Sequence, residues 1–204
     1  MEGGTDGDSG GLRSRHAIEP APPSPKPDYV LPPQRLDGPI QLVDADPRWS
    51  SQFEVLRDEI RQALGGRVLA LDHVGSTSVP GLLAKPILDI SLVVSDPARE
   101  QDYVPMLATV GYVLHLREAD WYEHRLLRHR DPAANVHVFG PHCVEVERMI
   151  RFRDLLRTHA ELRQAYASTK RELGARQWEY VQDYANAKSQ IVEAILTEAD
   201  APHA

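Results

Sequence analysis

Cysteine is nearly absent from this chain of 204 residues. Cys143 stands alone, so no internal disulfide can form, and without paired cysteines no Cys/His zinc spacing arises. Nine histidines are scattered and never fall into a His-Glu-x-x-His pattern, so a zinc site is not expected. No apolar run approaches the roughly 18 to 20 residues a spanning helix requires, because charges interrupt every hydrophobic stretch; this excludes a helical membrane protein. The first residues, MEGGTDGDSGG, lack the basic start and apolar run of a secretory signal, which makes a cytoplasmic protein the expectation. Positive charge is short as well, with 23 Lys plus Arg against 30 Asp plus Glu and a formal net charge of -7. That balance argues against broad attraction to nucleic acid or anionic lipid and leaves room only for a local basic cleft.

What is present is ordinary globular material, 42% hydrophobic and 26% charged, and its length suits one domain of about 160 residues with an appendage. Residues 1–38 hold seven of the 16 prolines and few apolar side chains. They cannot bury enough surface to offset an ordering entropy of about 1 to 2 kcal/mol per residue, so a disordered, solubilising tail is expected there. Residues 199–204 are expected to lie outside the fold too, which leaves 39–198 as the domain.

Within the domain, Ile40, Leu42 and Val43 suggest a short strand, and Asp46-Pro47 supplies a cap before a helix whose Trp49, Phe53, Leu56, Ile60 and Leu64 form one apolar stripe. Strands are expected over 68–73, 87–94, 112–116, 121–128 and 135–139. A helix after Asp96-Pro97 should be kinked or shortened by Pro105. The rest reads as three helices. The second opens on a Thr158/Glu161 capping box, and the third carries Trp178, Val181, Ala185, Lys188, Ile191, Val192 and Ile195 toward one side. The fold class is α+β, a mixed sheet flanked by helices with a helical C-terminal portion.

Chemistry concentrates in the strand-turn-strand run His73-Val74-Gly75-Ser76-Thr77-Ser78-Val79-Pro80-Gly81 and its continuation Lys85-Pro86-Ile87-Leu88-Asp89-Ile90-Ser91. A Gly-Ser pair leaving a strand lets backbone N–H groups and hydroxyls approach a phosphate, so Gly75, Ser76 and Thr77 are candidate phosphate-binding residues. Asp89 lies amid apolar residues, where an acid costs several kcal/mol unless it is paired, hydrogen-bonded or on metal. A turn capped by Ser76 and Thr77, with Asp89 accepting their hydrogen bonds, would give the same pattern without a ligand.

The sequence resembles the GrpB family, also known as UPF0157 and placed in the nucleotidyltransferase superfamily. The resemblance is carried by Asp46-Pro47-x-Trp49, the run from His73 to Leu92, Val136-His137-Val138, Glu147-Arg148, Phe152-Arg153-Asp154, Lys170-Arg171-Glu172-Leu173 and Tyr184 with Lys188. It implies a nucleotidyltransferase-like fold that binds a nucleotide or another phosphorylated small molecule and transfers a nucleotidyl group to a small acceptor. In active relatives three acids hold two Mg²⁺ ions; Asp89 matches the first acid, whereas Ser91 stands at the second and Asn135 replaces a frequent histidine. Alternation along the last strand puts Asn135 and His137 on one face, which makes His137 a candidate metal ligand or base beside Asp89, aided by Asn135 and His73. Glu123 and Glu147 are alternative third acids. Lys85, Arg148, Arg153, Lys170 and Lys188 supply cations for an anionic ligand, with Lys85, Arg148 and Lys188 taken as ligand-binding. Cys143 is read as an incidental thiol, and Trp121, Tyr122, Trp178 and Tyr180 as core or pocket lining. The family also occurs fused to dephospho-CoA kinase, and Ser91 keeps open a second class of function, a non-catalytic regulatory or interaction module.

Overall fold

A computed structural model describes residues 27–198. Its centre is a six-stranded sheet made of β1 (Asp28–Tyr29), β2 (Ala70–Val74), β3 (Leu88–Val93), β4 (Val113–Glu118), β5 (His124–Arg130) and β6 (Ala133–Phe139), in the order β1-β4-β5-β6-β3-β2. Neighbours run antiparallel except β3 and β6, which are parallel. The fold is therefore α+β with a mixed sheet.

Two helical layers bury the two faces of this sheet. Helix α1 (Arg48–Leu64) starts where Asp46 Oδ1 accepts the Arg48 N–H at 2.9 Å. It turns Trp49, Phe53, Leu56, Ile60 and Leu64 inward, each large apolar side chain contributing about 1.5 to 3 kcal/mol. With Leu107 of α2 (Val104–Ala108), these residues cover Leu88, Ile90 and Leu92 of β3 and Ala134, Val136 and Val138 of β6. The alternate residues of both strands point to the other side. There the C-terminal helices α3 (Val144–Thr158), α4 (Ala160–Gly174), α5 (Val181–Ala187) and α6 (Ser189–Glu198) pack, with Val146 on Val93 and Phe139.

Several elements differ from expectation, each for a local reason. The 40–43 stretch adds no strand to the sheet: Val43 makes an isolated bridge to Ala84, while Ile40 is buried against Leu173 and Tyr184. Of the two outcomes expected at Pro105 the helix is short and not kinked: α2 holds Pro105 in its first turn, where a missing N–H costs nothing. The strand expected from 121 begins at His124, since Tyr122 and Glu123 take left-handed turn conformations at φ 55° and 51°. Thr158 closes α3, its Oγ1 donating to Asp154 O at 2.7 Å, so it caps nothing downstream. The last expected helix is two helices, α5 and α6, with Lys188 at the break between them.

The expected tail of residues 1–38 falls largely outside the described residues, as does 199–204 entirely. Its described end runs along the domain: β1 pairs with β4, and the Leu36 N–H donates to Glu179 O at 3.0 Å.

Candidate functional site

Strand β2 ends at Val74, opposite Asp89 in the antiparallel register, and the chain must turn back at once over that acid. Gly75 makes the turn at φ 71°, and a Cβ placed there would stand 2.4 Å from Asp89 Oδ2. The Gly-Ser turn and the carboxylate are thus in direct contact. A short 3-10 turn, Ser76–Ser78, follows, closed by Ser78 Oγ donating to Gly75 O at 2.6 Å.

The parallel pairing of β3 with β6 sets Asp89 beside Asn135 and Ser91 beside His137. Asn135 Nδ2 donates to Asp89 Oδ1 at 3.0 Å, and His137 Nε2 lies 3.7 Å from the same oxygen. Burial pushes the Asp89 carboxyl toward neutrality, but His137, Asn135 and the Lys188 ammonium outweigh it and hold the group below the usual carboxylate range. Its side chain stays 33% exposed, and the opening leads into a cavity of about 330 Å³.

Gly75, Ser76, Lys85, Asp89, Asn135 and His137 all line this cavity, together with Arg128, Lys170, Tyr184 and Lys188. Lys188, at the α5–α6 break, stands 4.8 Å from the Tyr184 ring centroid, and Lys85 approaches the same ring at 5.5 Å. Lys170 is only 2% exposed and donates its Nζ to Leu83 O. Burial is the main reason all three amines titrate low. It is joined by the Lys188 charge in pushing Lys85 down to about 8 and Lys170 to about 7, and the Asp89 charge opposes the shift at each amine.

Other residues proposed from the sequence lie elsewhere. Thr77 is buried and does not line the cavity; its Oγ1 bonds His73 Nε2 at 3.0 Å and reaches Ile87 O. His73 stacks on Phe53, and burial pushes it down to about 4. Arg148 is buried between Glu145 and Glu193, which ties α3 to α6. Arg153 donates to His73 O at 3.1 Å and serves as a clamp on β2. Glu123 and Glu147 are exposed and outside the cavity. Cys143 is half-buried at the start of α3, where burial raises its thiol. Trp121 and Tyr122 pack with Phe139, and Trp178 packs on Tyr184.

Ser91 decides what metal chemistry this donor set fits. It is 1% exposed, and its Oγ has no hydrogen-bond partner among the described residues. Asp89 is the single carboxylate lining the cavity, and no cluster of three or more His, Cys, Asp or Glu suited to a metal occurs among the described residues. Two hard divalent ions need several oxygen anions between them, so the two-ion arrangement does not fit.

Sequence reasoning missed two contributors. Arg128 lines the cavity from β5 beside Asn135, and Glu118 with His124 forms a buried pair behind His137. A compositional signal was available: the chain has four lysines, Lys26, Lys85, Lys170 and Lys188, and three of them line this one cavity.

Fold and site define an α+β protein with a cation-rich cavity built on one parallel strand pair. The chain belongs to the GrpB family: the family model described as GrpB protein matches residues 39–198. UPF0157 protein BH1888 of Halalkalibacterium halodurans is 51% identical over 162 residues, covering 79% of this chain and 83% of that protein. The crystal structure of the conserved protein GrpB from Enterococcus faecalis superposes with a TM-score of 0.64 at 26% identity, covering 79% of this chain and all of that one. Dephospho-CoA kinase of Mycolicibacterium paratuberculosis is 37% identical over 78 residues, 37% of this chain and 19% of the kinase. No helix among the described residues is long and apolar enough to cross a membrane.

Proposed function

We propose that this GrpB-family domain binds the phosphates of a nucleotide or another phosphorylated small molecule in the Asp89 cavity. One observation carries the reading: in a chain of net charge -7, three of four lysines and Arg128 line a cavity holding one carboxylate. Like charges gathered in a part-buried site depress one another, and an anion arriving among them relieves both their repulsion and their desolvation. The Gly75-Ser76 turn sits at the same floor, where its backbone can approach a phosphate closely.

Descent from a nucleotidyltransferase is the fold reading this supports, with the Gly-Ser turn and Asp89 retained. The buried Ser91 specifically favours the second reading, a ligand-binding or regulatory module, over two-ion nucleotidyl transfer.

Titration calorimetry with nucleoside mono-, di- and triphosphates, with and without Mg²⁺, tests both readings. Binding should tighten with the number of phosphates, and Lys188→Ala should weaken it by about tenfold or more, the loss of one well-placed charge contact. If Mg²⁺ travels with the ligand to Asp89, its enhancement should vanish in Asp89→Asn. Absence of heat with every phosphate ligand would sink the proposal. Release of pyrophosphate on mixing a triphosphate with acceptors would overturn the non-catalytic reading alone.

A further inference from the structure

Four adjacent strands lay one row of side chains along the cavity. Val74 of β2 pairs in register with Asp89 of β3, Asp89 with Asn135 of β6, and Asn135 with Arg128 of β5. All four residues line the cavity. Three strand spacings separate the ends of the row, roughly 14 Å of backbone. The Gly75-Ser76 turn continues the β2 end, so the cradle for a phosphate and the Arg128 guanidinium stand at opposite ends.

Arg128 differs from the arginines elsewhere in the domain that are drawn inward. Arg125 meets Glu100, Arg148 meets Glu193 and Arg153 meets Asp72, whereas Arg128 forms no ion pair among the described residues. Its Nη1 donates to the neutral Gln34 Oε1 at 3.5 Å, the limit of a hydrogen bond, and its buried Nε has no hydrogen-bond partner among the described residues. Burial pushes the group below the usual arginine range. A half-buried charge left in this way is costly until an anion meets it, and its planar fork suits a carboxylate or a phosphate.

The middle of the row makes a different demand. Asp89 is held as a carboxylate, which only accepts hydrogen bonds, so the part of a ligand lying over it must bring donors such as hydroxyls. Leu126, Met149, Phe152 and Val181 add apolar surface to the lining, which suits a carbon skeleton better than a bare chain of phosphates.

We infer that Arg128 is a specificity-determining residue that reads a second anionic group, and that the ligand is a phosphorylated polyol with a charge at each end. Its phosphate lies at the Gly75-Ser76 turn, its hydroxyls over Asp89, and a carboxylate or second phosphate at Arg128. This rests on the phosphate-binding reading and narrows it.

Titration calorimetry of the full-length protein with three probes tests the inference: a hexose monophosphate, a hexose bisphosphate phosphorylated at both ends, and phosphogluconate, which carries a phosphate at one end and a carboxylate at the other. Wild type should bind at least one two-ended probe about tenfold or more tighter than the monophosphate, and the tighter of the two identifies the group that Arg128 reads. Arg128→Met, which keeps the length of the stem, should erase that advantage and leave the monophosphate affinity unchanged. Arg128→Lys, which keeps the charge without the fork, should recover part of it. No preference for either two-ended probe in wild type, a preference that survives Arg128→Met, or a loss in that variant shared equally by the monophosphate would overturn the inference. The nucleotide titration above decides the phosphate-binding reading separately, so the two failures are distinguishable.

Discussion

At Gly75 the backbone takes φ 71° and ψ -172°, a region essentially reserved for glycine, and the Asp89 carboxylate occupies the space a Cβ would need. Backbone strain there costs about 1 to 3 kcal/mol, and displacing Asp89 adds the disturbance of its bond to Asn135. Gly75→Ala should therefore lower the unfolding free energy by about 3 kcal/mol in urea titration and reduce phosphate affinity together with it. Asp89→Ala in the same chain should recover only the steric part, because the positive φ remains. A Gly75→Ala protein as stable as wild type would mean that the turn adopts another path over the acid.

At the scale of elements, the turn is gripped from outside by α3. Arg153 donates to His73 O before the turn, and Arg157 donates through Nε and Nη2 to Ser78 O after it, at 3.0 and 2.7 Å. Arg153 is the less exposed of the two and also meets Asp72 and Asp154. Arg153→Met should cost about 2 kcal/mol, the range for hydrogen bonds made by a charged group, read as a lower urea midpoint at unchanged slope. A change within error would show that α3 docks without this clamp. The same elements show what could be read from the chain. The stripe of α1 and the alternation of Asn135 and His137 are periodicities, so they were visible, and Asp89 was conspicuous as an acid inside an apolar strand. The pairing of Glu118 and His124 behind His137 was not, because strand register across β4, β5 and β6 is fixed by packing and by a turn at Tyr122 and Glu123 that no glycine marks. Arg148 was misread for a similar reason. Its carboxylate partners, Glu145 and Glu193, lie on two helices, α3 and α6, whose docking cannot be inferred from local sequence.

For the whole molecule, the amines in the cavity tie stability and binding to pH with opposite signs. Burial pushes Lys170 down to about 7 and Lys85 to about 8 in the folded protein, against 10.5 for an ordinary lysine. Between those values the unfolded chain holds more protons than the folded one, so the unfolding free energy rises with pH. The penalty for burying the charges is complete below the folded pKa and disappears as pH climbs through the unfolded one. For Lys170, 2% exposed, it is on the order of a few kcal/mol. Anion affinity should run the other way, falling over the same alkaline window as the ammonium charges are lost. Urea unfolding from neutral to alkaline pH should therefore show the ligand-free protein gaining stability, and Lys170→Met should flatten that slope. Calorimetry on the same samples should show triphosphate binding weaken. Parallel stability profiles for wild type and Lys170→Met would mean that the buried amine keeps its proton throughout, offset by a contact other than Asp89.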